Sequence, residues 1–219
     1  MDIDTTVKAL PLAKDELEKI IMEICEIPLE DNISFRIIDM ETIMDEFDYP
    51  GLRVHMEALL ERLKQPIKID ISTDDAITPG AIEYKYPLMF EERDICLNTY
   101  NIETLLAEKS QTIINRGLAN IRMRDFYDLY EIVKKLEFSW NIYRQAFYST
   151  CKKRETIFSK EKVETELKNL SASTDMEEMW KQFKNKNYFV ENIEYSEIIK
   201  VISQTIMKIY ETTIYGENI

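Results

Sequence analysis

The spacing of apolar residues changes period along the chain, and this limits the fold more than any other feature. Across residues 67–71, Ile67, Ile69 and Ile71 alternate with Lys68 and Asp70. Period two predicts a strand with its isoleucines on one face and its charges on the other. Ile33, Phe35 and Ile37 alternate in the same way, and Leu52 to Leu60 reads as a return strand after the turn signal Tyr49-Pro50-Gly51. Thr78-Pro79-Gly80 closes this unit, and Tyr84 to Phe90 reads as a loop or short strand. One helix precedes these strands. Over 14–26, Leu17, Ile20, Ile21 and Ile24 recur at helical spacing.

After Tyr100 the period becomes helical to the end. Helices are predicted over 101–116, 121–137, 140–154, 160–170, 174–186 and 194–212, with Gly117 weakening the first join. Thr174 with Glu177 forms a capping box. Tyr195, Ile198, Ile199, Ile202, Ile206 and Ile209 form an apolar stripe on the last helix. Only 4 Gly and 6 Pro in 219 residues agree with a helix-rich chain. The fold class is therefore α+β: a mixed β-sheet with flanking helices over 1–100, then a helical bundle over 101–219.

The formal charge of −13 argues against a general nucleic-acid coater, since phosphate is repelled at long range. The charge is uneven. Residues 1–50 hold 14 acidic and 4 basic side chains; residues 134–168 hold 9 basic and 5 acidic ones. Cys25, Cys96 and Cys151 are odd in number and have no C-x-x-C spacing, which suggests neither a disulfide framework nor a zinc site. No apolar run reaches the 18 residues or so of a membrane helix, and no leader opens the chain. A cytoplasmic protein that does not engage a membrane is the expectation.

Four constellations could carry chemistry. Asp2 and Asp4, at i and i+2 on an extended segment, point the same way and could share hard divalent cations. Two solvated aspartates would look the same. Asp70 is a strand carboxylate in a place strands disfavour; pairing with Lys68 is its plain reading, and completing a two-metal site its functional one. Lys109 lies between Leu105 and Ile113 in an apparent buried stripe, where an amine needs an anionic partner. It is either a snorkelling lysine or a cation that holds a triphosphate. Within Arg122-Met123-Arg124-Asp125-Phe126-Tyr127-Asp128, Phe126, Leu129, Tyr130 and Val133 make the apolar face. Ile121, Asp125, Asp128 and Ile132 run along a second line. Arg122 and Arg124 stand at ion-pair spacing from Asp125 and Asp128. Lone His55 has no Ser or Cys partner motif and reads as structural.

Asp2-Ile3-Asp4, Tyr49-Pro50-Gly51-Leu52-Arg53, Ile67 to Ile71, Glu103-x4-Glu108-Lys109, and Arg116 with Arg122-x-Arg124-Asp125-x-x-Asp128-Leu129 follow one another in this order. From residue 2 to about 135 the chain resembles the AbiEii/AbiGii nucleotidyltransferase toxins of type IV toxin–antitoxin and abortive-infection systems. The resemblance implies a nucleotidyltransferase-type sheet followed by helices that complete the active site. It implies transfer of a nucleoside monophosphate from an NTP, with Mg²⁺ of the two-metal type, to an acceptor such as tRNA or another RNA. Asp2, Asp4 and Asp70 would be the metal ligands. Lys109 would meet the nucleotide phosphates, with Asp128 and Arg116 also binding nucleotide. Asp70, Lys109 and Asp128 would be catalytic. An antitoxin would be encoded nearby, with direct contact not required. The family pattern opens with a Gly-Gly or Gly-Ser turn upstream of Asp-x-Asp, absent here, so a truncated or slow enzyme is one expectation.

An RNA backbone could lie on Arg122, Arg124, Lys152, Lys153 and Arg154, with Lys160, Lys162 and Lys168 nearby and Phe147, Tyr148 and Phe158 offering stacking. A solvated helix surface is the plainer account. Two alternatives to RNA-directed transfer stay open: a catalytically silent interaction protein, and transfer to a small molecule.

Overall fold

The computed structural model describes residues 2–7, 14–28, 31–43, 51–73, 75–190 and 192–211. They form two compact units, Met1–Asp75 and Ala76–Ile219.

The first unit is a four-stranded mixed sheet with one helix. Its strands are β1 (Asp2–Val7), β2 (Ser34–Ile43), β3 (Gly51–Leu60) and β4 (Leu63–Thr73), and the order across the sheet is β1-β4-β3-β2. β1 runs parallel to β4, and the other two pairings are antiparallel. Side chains alternate in direction along each strand, so register partners share a face. One face holds Ile3, Met40, Leu52, Val54, Met56, Ile67, Ile69 and Ile71, and these gather into a core with Leu17 and Ile21 of α1 (Lys14–Cys25). Ile20 and Ile24, expected on the same helical face, are 37% and 58% exposed instead. The apolar strip of α1 is narrower than its sequence period suggests.

The alternation predicted for 67–71 is present, and β4 extends it at both ends. β3 and β4 are joined by a tight turn at Glu61–Arg62, between the paired Leu60 and Leu63. Glu61 adopts φ 50° there. An Asn-Gly or Asp-Gly pair is the usual signal for such a turn, and this sequence has none. Gly51 opens β3 close to its neighbour: a Cβ there would stand 2.9 Å from the carbonyl oxygen of Ile71. Tyr49 and Pro50, the rest of that turn signal, lie outside the described residues.

The second unit opens with a hairpin, β5 (Ile82–Pro87) and β6 (Asp94–Thr99), where only a loop or short strand was expected. Helices follow: α2 (Ile102–Arg116), α3 (Met123–Lys135), α4 (Trp140–Lys153), α5 (Lys160–Ala172), α6 (Thr174–Lys186) and α7 (Tyr195–Lys208). The starts of α2, α4, α5 and α6 follow from caps. Asn101 Oδ1 accepts from the Thr104 amide, Ser139 and Ser159 cap α4 and α5, and Ser173 caps α6. The α6 cap is thus Ser173 and not Thr174, one residue earlier than the capping-box reading. Gly117 ends α2 at φ 50°. One core unites the helices around Phe126, Leu129, Tyr143, Phe147, Trp180 and the α7 stripe, all six predicted residues of which are buried. No helix among the described residues is long and apolar enough to cross a membrane. Cys25, Cys96 and Cys151 are free thiols.

Candidate functional site

The sheet's second face is polar, and its composition follows from register alone. Asp4 of β1 pairs with Asp70 of β4, and Asp2 with Lys68. Asp70 in turn pairs with Arg53 of β3, Lys68 with His55, and Arg53 with Glu41 of β2. The two aspartate positions, far apart in sequence, therefore stand side by side on adjacent strands, about 4.8 Å between chains. Asp4 is exposed. The Asp2 side chain lies outside the described residues.

Arg53 dominates this face. Its Nε donates to Asp70 Oδ1 at 2.7 Å and its Nη2 to Asp70 Oδ2 at 2.8 Å, a planar two-bond clamp. Lys68 Nζ is farther away, at 4.0 Å from Asp70 Oδ2. The hydrogen bonds from Arg53 hold the Asp70 carboxyl below the usual carboxylate range. Partial burial opposes this, and the charges of Arg53, Lys68 and His55 reinforce it. Glu41 stands 3.7 Å from Arg53 Nη1 and 3.2 Å from His55 Nε2. His55 thus shares Glu41 with Arg53 on this strand face.

The sequence points to Asp70 but not to this role of Arg53. The signal was available: counting outward from a turn at Glu61–Arg62 puts Arg53 opposite Asp70. What hid it was the turn, which carries no Gly or Asn.

In the helical unit, Lys109 of α2 meets both aspartates of α3. Its Nζ donates to Asp128 Oδ2 at 2.8 Å and to Asp125 Oδ1 at 3.2 Å. The Asp125 side chain is 5% exposed and that of Asp128 30%. Arg122 Nε reaches Asp125 Oδ2 at 2.8 Å, and Arg124 Nε stands 4.0 Å from Asp128. Three cations (Lys109, Arg122, Arg124) thus approach the two carboxylates. An ammonium has three protons to donate; two go to Asp125 and Asp128, and a third could serve an incoming phosphate.

The reason for Lys109's burial differs from the expected one. The inner face of α2 is Leu106, Ala107, Ser110, Ile113 and Ile114, while Leu105 is 37% exposed. Lys109 flanks that face and is held by its aspartates, not by a stripe through Leu105. Likewise Ile121, expected to shield the aspartates, is 75% exposed. Asp125 is instead covered as part of the inner face of α3, with Met123, Phe126 and Leu129.

Arg116 lies in the last turn of α2 and Lys152 and Lys153 in the last turn of α4, where cations complement the helix dipole. Arg154 turns inward: its Nη1 donates to Gln111 Oε1 at 2.7 Å and to Thr112 Oγ1 at 3.1 Å. Phe147 and Phe158 are 1% and 8% exposed core residues, so they offer no ring for stacking; Tyr148, at 49%, remains at the surface. Both are packed into the helical core, which a count of basic and aromatic residues does not register.

Two solved structures from Helicobacter pylori are similar over 95% of this chain. JHP933 has a TM-score of 0.45 at 14% identity, with 75% of its own length covered. A candidate nucleotidyltransferase from H. pylori has a TM-score of 0.46 at 15% identity, with 77% covered. No curated protein matches. The profile described as "Nucleotidyl transferase AbiEii toxin, Type IV TA system" matches residues 1–200. With most of its length inside that match, the chain belongs to the AbiEii nucleotidyl transferase toxin family of type IV toxin–antitoxin systems.

Proposed function

We propose that this chain transfers a nucleoside monophosphate from a nucleoside triphosphate to an acceptor hydroxyl, with RNA, and tRNA in particular, as the acceptor class. In that reaction the acceptor oxygen bonds to the α-phosphorus, the bond to the β-phosphate oxygen breaks, and pyrophosphate leaves. The observation that carries the reading is the register that sets Asp4 beside Asp70.

The donor chemistry of that face fits a hard divalent cation. Asp2, Asp4 and Asp70 are oxygen donors, which Mg²⁺ prefers to nitrogen or sulfur. Among the described residues no group of three or more metal-type side chains is gathered, and the Asp2 side chain lies outside them. When bound, the cation would offset the charge that develops on the transferring phosphoryl group. The pull of Arg53 makes Asp70 a weak proton acceptor, which favours a ligand over a general base. Lys109 would bind phosphate with its remaining proton, while Asp125 and Asp128 fix the direction of its amine. Arg122 and Arg124 orient those aspartates in turn. RNA contacts, if they use the basic stretch, would fall on exposed Lys152, Lys160, Lys162 and Lys168.

A type IV family pairs its toxin with an antitoxin, so an antitoxin gene is the expected genetic partner, with direct contact not required. One observation favours a second reading, a catalytically silent interaction protein: both Asp70 oxygens are already engaged by Arg53. The experiment that separates them incubates the protein with each labelled triphosphate, Mg²⁺ and total tRNA, beside an Asp70→Ala control. Label in RNA that disappears in the control supports transfer. Equal label in both removes Asp70 from the mechanism, and no label with any triphosphate favours the silent reading.

A further inference from the structure

We infer that Arg53 is an internal counter-ion for Asp70, exchanged for the divalent cation when metal and triphosphate arrive, and that its guanidinium then pairs with the triphosphate. The inference rests on the metal reading given above. Its basis is geometric. Arg53 takes both Asp70 oxygens at 2.7 and 2.8 Å, so a cation that claims one of them must break at least one of these bonds. The guanidinium and the cation are therefore competitors for one carboxylate.

The competition is workable because the pair is not sealed. The side chains of Arg53 and Asp70 are 29% and 22% exposed, so neither must leave a dry interior to change partners. Arg53 also has a second anion at hand: Glu41 Oε1 lies 3.7 Å from its Nη1, on the strand side away from Asp70. A guanidinium released from Asp70 keeps a fork of parallel donors that matches phosphate oxygens as well as it matches a carboxylate. Lysine has no such fork, and the Lys68 ammonium stands off Asp70 at 4.0 Å. Arg53 is thus the group on this face that can hold Asp70 before the metal comes and phosphate afterwards.

The two roles give opposite signs for one substitution, which a merely structural arginine would not. Removing Arg53 frees Asp70 for metal but takes away a phosphate partner. The test uses the full chain and three variants, Arg53→Gln, Arg53→Lys and Arg53→Gln with Asp70→Asn, each first confirmed as folded by circular dichroism. Mn²⁺ binding is read by electron paramagnetic resonance. Binding of the four non-hydrolysable triphosphates with Mg²⁺ is read by calorimetry. Arg53→Gln is expected to bind Mn²⁺ alone about fivefold tighter and the tightest triphosphate about tenfold weaker. Adding Asp70→Asn should abolish the Mn²⁺ gain, and Arg53→Lys should fall between wild type and Gln.

If wild type binds Mn²⁺ and Arg53→Gln binds it equally or more weakly, the inference is overturned while the metal reading stands. Unchanged or tighter triphosphate binding in Arg53→Gln overturns the phosphate half. If neither wild type nor any variant binds Mn²⁺, the metal reading fails and this inference falls with it. An unfolded Arg53→Gln leaves Arg53→Lys to decide: its Mn²⁺ affinity must exceed that of wild type, or the inference is wrong.

Discussion

Asp4 and Asp70 are register partners on parallel strands, so two carboxylates separated by most of the first unit's sequence occupy neighbouring places on one face. The cost of bringing like charges together is met on the same face by Arg53 and Lys68. On the proposed metal reading, this arrangement separates stability from function at Asp4. The residue is exposed, and surface substitutions away from special features change stability by about 0.5 kcal/mol or less. Asp4→Ala should therefore melt within a few degrees of wild type, while label transfer falls roughly a hundredfold or more. A variant that melts normally and transfers at the wild-type rate would remove Asp4 from the site.

Asp70 should behave differently, because its carboxyl is lowered by Arg53. The folded-state value lies below the unfolded one, near 3.9. Its contribution is then fully present above pH 4 or so and is lost as pH falls through the folded value. Asp70→Asn should cost about 1–2 kcal/mol at pH 7, in line with a charge-assisted hydrogen-bonded pair at a partly exposed site. The cost should shrink as pH drops below 4. Urea unfolding of both proteins between pH 2.5 and 7 reads this directly; a cost independent of pH would mean the pair does not stabilise the fold through charge.

The sequence showed the class of fold because both periods are strong. The α7 stripe and the Ile67–Ile71 alternation depend on local spacing, and both are present in the structure. The need of Lys109 for an anionic partner was legible from its place on α2, but its pairing with Asp125 and Asp128 was not, because that depends on how α2 and α3 pack. Other features were hidden because they are set at a distance. The β5–β6 hairpin has strands that are almost wholly exposed, so it carries no clear burial period. Arg53's partner depends on where an unmarked turn falls. The burial of Phe147 and Phe158 depends on helices that meet only in the folded unit.

Asn101 shows how the start of α2 is tied to the segment before it. Its Oδ1 accepts from the Thr104 amide at 3.1 Å while its Nδ2 donates to the Thr78 carbonyl at 2.7 Å. Thr104 Oγ1 returns to the same segment, accepting from the Thr78 amide at 3.0 Å. Asn101 is 7% exposed, so its loss leaves buried groups unpaired. Asn101→Ala should cost about 2 kcal/mol, the cap plus one buried bond. Asn101→Asp keeps the cap but loses the donor to Thr78, and should not recover the whole loss. Thermal melts of the three proteins give the order wild type, then Asp, then Ala; equal melting of Asp and Ala would deny the cap its part.

In the reading proposed above Lys109 both balances Asp125 and Asp128 and meets phosphate, and substitutions can tell the two apart. Asp125 is nearly buried, so removing the amine leaves a carboxylate that Arg122 alone must balance. Lys109→Met should destabilise the helical unit by about 2–3 kcal/mol, somewhat below the cost of breaking a fully buried pair because Arg122 remains. Lys109→Arg keeps the charge and should recover most of that stability. It should not recover transfer, because a planar guanidinium that satisfies both aspartates no longer presents a compact ammonium proton to phosphate. Asp125→Asn with Lys109→Met removes both charges of the buried contact and should be more stable than Lys109→Met alone. Melting curves and labelled-triphosphate transfer measured on the same four proteins decide the matter. If Lys109→Arg transfers at the wild-type rate, Lys109 acts only by balancing Asp125 and Asp128, and the phosphate contact must come from another residue.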